Sequence, residues 1–295
     1  MKQPVKFAIW ANTDKSSFWE LLPGILAWAD ANRLKVYLTT HILAEIKDNS
    51  CSLCGVIENA DDFSTMDFVL TLGGDGTILS TARAVGNRKT PILGIHLGDL
   101  GFLAEVTVND LYSRLDQVAK GYYSTQPRMV LRCEIHNGTK SRTFYSLNEI
   151  VIDKGKSHRM ISAQLQAAGH FVASYKADGV IVATPTGSTA YSLAAGGPIV
   201  APGLSALVVS PICPHSLTYR PLVLSDDMEL EITFPGIIAK DMAVTVDGQT
   251  VEYLNNSPKI IIRKADHQIL MIAFQDSNYF HTLRTKMGWG RRGDN

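Results

Sequence analysis

The chain has 295 residues, which is enough for two domains that each bury a hydrophobic core. Basic and acidic residues both number 28, so the net charge does not favour nucleic acid or an anionic membrane as a partner. The sequence shows no signal-peptide pattern and no apolar run of about 18 residues that could span a membrane. We therefore expect a cytoplasmic protein that binds neither nucleic acid nor membranes.

The cysteines and histidines predict neither a disulfide framework nor a complete metal site. The four cysteines are few and scattered for a chain of this size, so reduced thiols are expected. Cys51 and Cys54 have the spacing of half a zinc site, but no second pair of ligands follows them. Histidines without metal-ligand spacing are expected to be surface residues or hydrogen-bonded polar residues. This group comprises His96, His158, His170 and His215.

Up to about residue 120, strand-like apolar segments alternate with helix-like segments. Such alternation predicts parallel strands joined by helices, in an open, mostly parallel, Rossmann-like α/β sheet. Ligands of such a sheet lie at the carboxyl ends of its strands. The predicted strands are 5–10, 34–38, 68–72 and 91–95, and the predicted helices are 18–31 (interrupted at Pro23), 78–85 and a segment around 111–115.

A glycine-rich turn, Gly73-Gly74-Asp75-Gly76, lies between a predicted strand and a predicted helix. Backbone N–H groups in such a turn can approach an anion closely, and the helix dipole favours negative charge there, so phosphate is the expected ligand. The carboxylate of Asp75 would repel a phosphate unless it binds a metal ion or accepts a proton from an attacking hydroxyl. The turn therefore suggests phosphoryl transfer, although glycine and aspartate also occur in tight turns that bind nothing. A second glycine-rich loop, 94–101, follows the next strand.

Beyond about residue 125 the apolar residues alternate with a period of two, which predicts a packed, sandwich-like β-sheet domain. Three turn-forming dipeptides, Asn137-Gly138, Gly169-His170 and Asp247-Gly248, are expected to connect hairpins. The predicted strands are 130–135, 144–152, 161–165, 171–175, 243–246, a strand from 251 onward, 259–263 and 269–274, followed by a short helix over 278–289.

These patterns divide the chain into three segments. Residues 1–124 form an α/β domain that carries the glycine-rich turn, residues 125–275 form a β-rich domain, and residues 276–295 form a C-terminal segment. The helix of this last segment could pack back on the first domain, and the sequence leaves that question open.

Asn148 and Glu149 lie in an otherwise apolar run, 147–152. Burying a carboxylate or an amide without a hydrogen-bond partner is costly, so a ligand with hydroxyl groups or a base edge could satisfy the two side chains. Because successive strand residues face opposite sides of a sheet, one ligand could contact both only where the strand ends or bulges. The alternative is an edge strand with two solvated side chains.

The segment 177–192 runs from a polar turn through an apolar strand into a stretch rich in hydroxyl groups and small residues. Small side chains expose backbone N–H groups, and Ser and Thr add donors, so the stretch suits phosphates or a ribose. Tyr191 could stack on a base or fill the core. The alternative is a helix whose start is capped by Ser or Thr. The chain has no Walker A lysine and no Gly-x-Ser-x-Gly motif, so neither P-loop chemistry nor nucleophilic hydrolysis is supported.

Three segments together resemble the bacterial NAD kinase family. They are the turn 73–76, the run 147–150 and the stretch 177–198, which contains Thr184-Pro185-Thr186-Gly187-Ser188-Thr189-Ala190-Tyr191. Further resemblance lies in 94–103, 214–223 and 246–249, so the match covers most of the chain from about residue 65 to the end. The fold of that family, an α/β domain followed by a β-rich domain, agrees with the pattern described above.

The resemblance implies transfer of the γ-phosphoryl group of ATP to the 2′-hydroxyl of the adenosine ribose of NAD, which gives NADP and ADP. It implies a divalent metal, with Mg²⁺ the expected ion, but names no protein ligands for it, and it implies a homodimer or homotetramer. Asp75 is implied to be the general base, with Gly76 beside the substrate. The other residues implied to bind NAD are Asn148, Glu149, Arg159, Lys176, Asp178, Thr189, Ala190, Tyr191, Ser192, Leu193, Ala194 and Gln249.

Three questions stay open at this level. Related bacterial enzymes commonly carry arginine where this chain has Lys176, and lysine lacks the bidentate fork of arginine, so the preference between NAD and NADH is undecided. The glycine motif alone also resembles lipid and sugar kinases. A non-catalytic nucleotide sensor would have the same pocket without the transfer.

Overall fold

The computed structural model describes residues 3–46, 54–98, 101–104, 106–138, 140–235, 242–254 and 258–289. Cys51 of the cysteine pair, residues 99 and 100 of the second glycine-rich loop, and the end of the chain from 290 lie outside the described residues. The chain divides into two compact units: the first is Met1–Pro127 together with Ile269–Asn295, and the second is Arg128–Gln268. No helix of the described part is long and apolar enough to cross a membrane.

The described residues form strands and α-helices that we number in chain order. The strands are β1 (Lys6–Ala11), β2 (Lys35–Thr39), β3 (Gly55–Ile57), β4 (Phe68–Gly73), β5 (Ile92–His96), β6 (Val106–Thr107), β7 (Ser124–Asn137), β8 (Lys140–Ser146), β9 (Glu149–Asp153), β10 (Ile161–Ala167), β11 (His170–Ala177), β12 (Gly179–Ala183), β13 (Ala206–Ile212), β14 (Leu222–Ser225), β15 (Leu230–Thr233), β16 (Ala243–Val246), β17 (Thr250–Tyr253) and β18 (Lys259–Ala273). The helices are α1 (Ser16–Ala31), α2 (Thr40–Glu45), α3 (Asp75–Val85), α4 (Leu111–Ala119), α5 (Tyr191–Ala194) and α6 (Tyr279–Met287).

The first unit is a parallel sheet covered by helices. Its strands lie in the order β3, β2, β1, β4, β5, and both β6 and the end of β18 also pair with β5 in parallel. Strand β4 is buried along its whole length, as expected for a parallel strand covered on both faces. Apolar residues of α1, α2 and α4 pack with those of the strands in one core. In this arrangement Gly73, at the end of β4, lies opposite His96, at the end of β5.

The second unit contains two antiparallel sheets. One has the strand order β14, β13, β12, β9, β16, β17; the other contains β11, β10, β15 and the first part of β18, together with β7 and β8. Inward-facing residues of both sheets form one hydrophobic core, which includes Ile150 of β9, Val180 of β12 and Leu165 of β10. A smaller cluster buries the opposite face of β9, β12 and β13. The fold class expected from the sequence, a mostly parallel α/β region followed by a β-rich region, is confirmed.

Three local predictions were wrong. Helix α1 is continuous through Pro23, because the proline removes one backbone hydrogen bond while Leu22 and Ile25 remain packed in the core. The predicted strand 144–152 is two strands, since β8 ends at Ser146 and β9 begins at Glu149 in a different sheet. The predicted strands 259–263 and 269–274 are one strand, β18, because the residues between them include no glycine or proline that would turn the chain.

Candidate nucleotide site

Asp75 is the first residue of helix α3, directly after the extended N-cap residue Gly74. Its side chain turns toward the loop that follows β5. Oδ1 accepts a hydrogen bond from the N–H of Leu103 at 3.2 Å and contacts Nε2 of His96 at 3.2 Å, while Oδ2 accepts one from the N–H of Phe102 at 2.9 Å. The carboxylate is therefore held by three donors of the first unit, and about a third of its side chain, 34 %, stays exposed.

These donors decide the charge of Asp75. Burial acts to raise the pKa of its carboxyl, but the hydrogen bonds from His96, Phe102 and Leu103, together with the charge of His96, outweigh burial and leave the pKa below its ordinary value. Asp75 is thus ionised at neutral pH. It combines an exposed face with a fixed position, as a proton-accepting group requires.

The glycines around Asp75 differ in what surrounds them. A Cβ atom on Gly101 would lie 2.0 Å from Oδ1 of Asp75 and 2.2 Å from Nε2 of His96, so no side chain fits there. Among the described residues, a Cβ atom on Gly74 would meet nothing within 4 Å. The space beside Gly74, at the N-terminus of α3, can therefore admit a group from outside the chain, and the helix dipole favours an anion there.

In the second unit, Asn148 and Glu149 lie where β8 ends and β9 begins, and the carboxylate of Asp247 holds this turn. Asp247 Oδ1 accepts hydrogen bonds from the hydroxyl of Ser146 at 2.6 Å and the N–H of Asn148 at 2.8 Å, and Oδ2 accepts one from the N–H of Leu147 at 3.0 Å. Because the chain changes sheets here, both polar side chains stand at a strand end, the one place where a single ligand could contact both.

The hydroxyl-rich segment packs directly on this turn. The N–H of Thr184 donates to the carbonyl of Asn148 at 2.8 Å, and the Thr184 hydroxyl donates to the carbonyl of Leu147 at 2.6 Å. A Cβ atom on Gly187 would lie 2.1 Å from the Asn148 carbonyl oxygen, so only glycine permits this approach. The two motifs, separate in the sequence, therefore form one surface. A role as a helix cap does not account for Thr184, because its side chain bonds to the segment that contains Leu147.

Buried polar atoms on this surface have no hydrogen-bond partner among the described residues: Oδ1 of Asn148, Oε2 of Glu149 and Oγ1 of Thr186. Burial, helped by the charge of Asp247, raises the pKa of Glu149 to about 7, although a hydrogen bond from the Tyr191 backbone opposes the rise. Glu149 is therefore protonated in part at neutral pH and can donate as well as accept. Buried polar atoms without partners indicate that a polar ligand completes the site.

The remaining candidates divide into two groups. Asp178 forms an ion pair with Lys154, whose Nζ lies 2.8 Å from Oδ1, and the charges of Asp178 and Asp153 help to raise the pKa of Tyr191, after burial. Asp178 and Tyr191 thus belong to the same surface. Among the other candidates, Ser192 is buried and hydrogen-bonded to Ser210. Thr189, Ala190 and Leu193 are half-buried. The exposed positions are Gly76, Arg159, Lys176, Ala194 and Gln249.

The sequence analysis missed two residues of these sites. His96 was expected to be a surface residue or a hydrogen-bonded polar residue, and it is the latter; what was not predicted is its partner, Asp75, 21 positions away in the chain. Asp247 was considered only as a turn residue, although its carboxylate organises the Asn148 turn. A buried strand that ends in a titratable residue was the available signal for His96. No local signal identifies Asp247, because the groups it holds lie about 100 residues earlier.

No group of three His, Cys, Asp or Glu side chains that could hold a metal ion occurs within the described ranges. Mg²⁺ characteristically keeps water ligands and binds through one or two carboxylates together with substrate phosphates.

Comparison with known proteins identifies the family. Models of the ATP-NAD kinase N-terminal and C-terminal domains match residues 7–123 and 147–274. The chain belongs to the NAD kinase family. An NAD kinase of Geotalea daltonii is 38 % identical over 97 % of this chain and 99 % of its own length. Yeast NADH kinase, solved in complex with NADH, has a TM-score of 0.89 and 26 % identity, covering 99 % of this chain and 90 % of that one.

A second solved structure, an NAD kinase from Archaeoglobus fulgidus in complex with ATP, has a TM-score of 0.74 and 26 % identity, covering 96 % of this chain and 98 % of that one. The family resemblance seen in the sequence is confirmed. Membership in the NAD kinase family makes the chain an ATP-dependent phosphotransferase that acts on NAD. This activity takes the place of the lipid-kinase, sugar-kinase and nucleotide-sensor alternatives.

Proposed function

We propose that this NAD kinase transfers the γ-phosphoryl group of ATP to the 2′-hydroxyl of the adenosine ribose of NAD, with Asp75 as the general base. The observation that carries the proposal is the fixed, ionised and partly exposed carboxylate at the start of helix α3. As the oxygen–phosphorus bond forms, the hydroxyl loses its proton to Asp75 and the electron pair of the broken phosphorus–oxygen bond leaves with ADP.

The lowered pKa of Asp75 is compatible with this role. Phosphoryl transfer proceeds through a loose transition state in most analyses, so little charge develops on the attacking oxygen until late in the reaction. A weak base suffices under those conditions, provided that it is ionised and correctly placed. Positioned general bases contribute about 10²- to 10⁴-fold to rates.

The surface of the second unit supplies groups that suit NAD. Asn148, Glu149 and Thr186 present unpaired polar atoms that can bond to ribose hydroxyls or to the edge of the adenine. Tyr191 is 46 % exposed and can stack on a base, and Asp178 can accept a hydrogen bond from one. We assign NAD binding to these residues and to Thr189, Ser192, Leu193 and Ala194 beside them. Further proposed contacts, taken from the family resemblance, are Gly76, Arg159, Lys176, Ala190 and Gln249.

ATP is assigned to the start of helix α3, where the open space beside Gly74 and the helix dipole favour a phosphate. Mg²⁺ would arrive with the triphosphate, and it would neutralise part of the charge that develops on the transferred group. Asp75 then needs to take only the proton. A homodimer or homotetramer, carried over from the family resemblance, and a cytoplasmic location, expected from the sequence pattern, are part of the proposal.

Asp75→Asn tests the base directly. The amide cannot accept the proton, so kcat should fall about 10²- to 10⁴-fold while the KM for NAD changes little. NADP formed from ATP, Mg²⁺ and NAD is measured against a matched control, Asp30→Asn, which changes an exposed aspartate of helix α1. Turnover of a folded Asp75→Asn variant at the level of the control would remove Asp75 from the base role.

A further inference from the structure

The two oxygens of the Asp75 carboxylate are not equivalent. Each carboxylate oxygen offers about two lone-pair sites. Oδ1 has two donors, Nε2 of His96 and the N–H of Leu103, both at 3.2 Å. Among the described residues, Oδ2 has one donor, the N–H of Phe102 at 2.9 Å. Oδ1 is therefore saturated within the first unit, and Oδ2 keeps one position for a proton.

The imidazole of His96 is itself fixed in place. His96 ends strand β5 with only 4 % of its surface exposed, and its backbone neighbours on β4 and β6 are Gly73 and Thr107. A Cβ atom on Gly101 would lie 2.2 Å from Nε2, so the backbone at Gly101 closes over the ring. The ring has little freedom to leave Oδ1.

The electrostatic surroundings of the pair are simple. Gly73 and Thr107 do not titrate, and in the part of the chain that the structure describes Asp75 is the titratable side chain hydrogen-bonded to His96. Lys15 also lies close by, since its Nζ donates to the carbonyl of Leu97 at 3.1 Å, one residue beyond His96. The charge and the hydrogen bond of His96 both act to lower the pKa of Asp75.

We propose that His96 is a positioning residue for the general base: it occupies Oδ1 of Asp75 through Nε2 and directs the incoming proton to Oδ2. The inference rests on the proposed role of Asp75 and deepens it. In the reaction the ribose O–H bond breaks, its proton passes to Oδ2, the new oxygen–phosphorus bond forms, and ADP departs with the electron pair of the old one. The proton is released to solvent before the next turnover.

Two substitutions separate the parts of this role. His96→Leu removes the donor and the charge, whereas His96→Gln keeps an N–H donor of similar reach without the charge. The loss of the donor should lower kcat about 10-fold or more, since small misplacements of catalytic groups reduce rates by up to about 100-fold. Glutamine should restore most of that loss.

The pH profile gives the second readout. Removing a neighbouring positive charge raises the pKa of a carboxyl, so the acid limb of kcat/KM should move to higher pH in both variants. His41→Gln is the matched control, because His41 also lies in the first unit, near Glu45 at 3.8 Å, and takes no part in the site. Its profile should match that of the unchanged protein.

The outcomes are distinct. An acid limb unchanged in both variants, or a kcat that glutamine does not restore, would overturn the positioning role. Folding of each variant is verified by circular dichroism and denaturant titration, and His96→Gln keeps the test decisive if His96→Leu does not fold. If Asp75→Asn retains full turnover, the proposed base itself fails; if Asp75→Asn is inactive while the His96 variants behave like the control, only the role of His96 fails.

Discussion

Asp75 of the first unit and Glu149 of the second are both carboxylates beside the end of a strand, yet their environments shift their pKa values in opposite directions. Asp75 receives three donors and keeps an exposed face, and its pKa is lowered. Glu149 is 5 % exposed, has an unpaired Oε2 and lies near the charge of Asp247, and its pKa is raised to about 7.

The difference teaches that burial alone does not decide the charge of a carboxyl; the supply of donors does. Burial opposes the charged form of both residues, but around Asp75 the loop after β5 supplies enough hydrogen bonds to reverse the effect. Glu149 lacks such a supply, and its Oε2 has no hydrogen-bond partner among the described residues. One carboxylate is thus prepared to accept a proton, and the other is prepared to share one with a bound molecule.

The largest effect should come from removing the donors around Asp75. In Gly101→Ala the new methyl group would collide with Oδ1 of Asp75 and with His96, which forces the pair apart. We expect kcat to fall about 100-fold, the loss that a displacement of about 1 Å can cause. Gly98→Ala is the control in the same loop, since among the described residues its Cβ would meet only the flexible end of Lys15, at 3.4 Å. Equal activity of the two variants would contradict the importance of these donors.

A smaller effect is expected from Asp247→Asn in the second unit. The amide group of asparagine would face the N–H of Leu147, donor against donor, and the turn that carries Glu149 would lose one of its bonds. The free energy of unfolding should fall by about 1–3 kcal/mol. The pKa of Glu149 should also move down, because the charge that helps to raise it is gone.

Urea denaturation measures the stability of that variant, and Asp227→Asn, at an exposed position of the same unit, is its control. A wild-type stability for Asp247→Asn would show that the turn around Asn148 holds without the carboxylate.

The smallest effect is the pH dependence that Glu149 contributes. Its folded-state pKa is raised, from 4.5 to about 7, so the folded state binds the proton more tightly than the unfolded state does. The resulting stabilisation is complete below pH 4.5 and is lost as the pH rises toward 7. Between pH 4.5 and 7 the free energy of unfolding should therefore fall less in Glu149→Gln than in the unchanged protein. The difference between the two falls should be about 1–3 kcal/mol.

Denaturation at a series of pH values tests this slope, with the exposed Glu229→Gln as the control. If Glu149→Gln and Glu229→Gln give the same slope, the contrast between the two carboxylates is wrong for the second unit.

Local patterns predicted much of the fold. The strand–turn–helix pattern around Asp75 placed it at the carboxyl end of a parallel strand, where the structure has it. The hairpins closed by Asn137-Gly138 and Asp247-Gly248 also pair as expected. These features follow from residues that are close in the sequence, so the periodicity and the turn residues contain the necessary information.

The remaining features depend on distant partners. The run 144–152 is apolar enough for one strand, but the carboxylate of Asp247 binds the backbone at Leu147 and Asn148 and lets the chain cross between sheets. Likewise, no sequence pattern around His96 predicts that Asp75 lies beside it. Long-range hydrogen bonds of buried groups decided both sites, and a single sequence does not display them.

The bonds of Asp247 also bear on the order in which the chain matures. The backbone groups at Leu147 and Asn148 are synthesised about 100 residues before the carboxylate that satisfies them. Until the ribosome has synthesised Asp247, the N–H groups of Leu147 and Asn148 lack the acceptor that they have in the folded protein, so this segment stays exposed to water. Loop closure over such a separation is slow compared with local hairpin formation. The nascent protein should therefore form the hairpin of β7 and β8 before it completes the turn that carries Asn148 and Glu149.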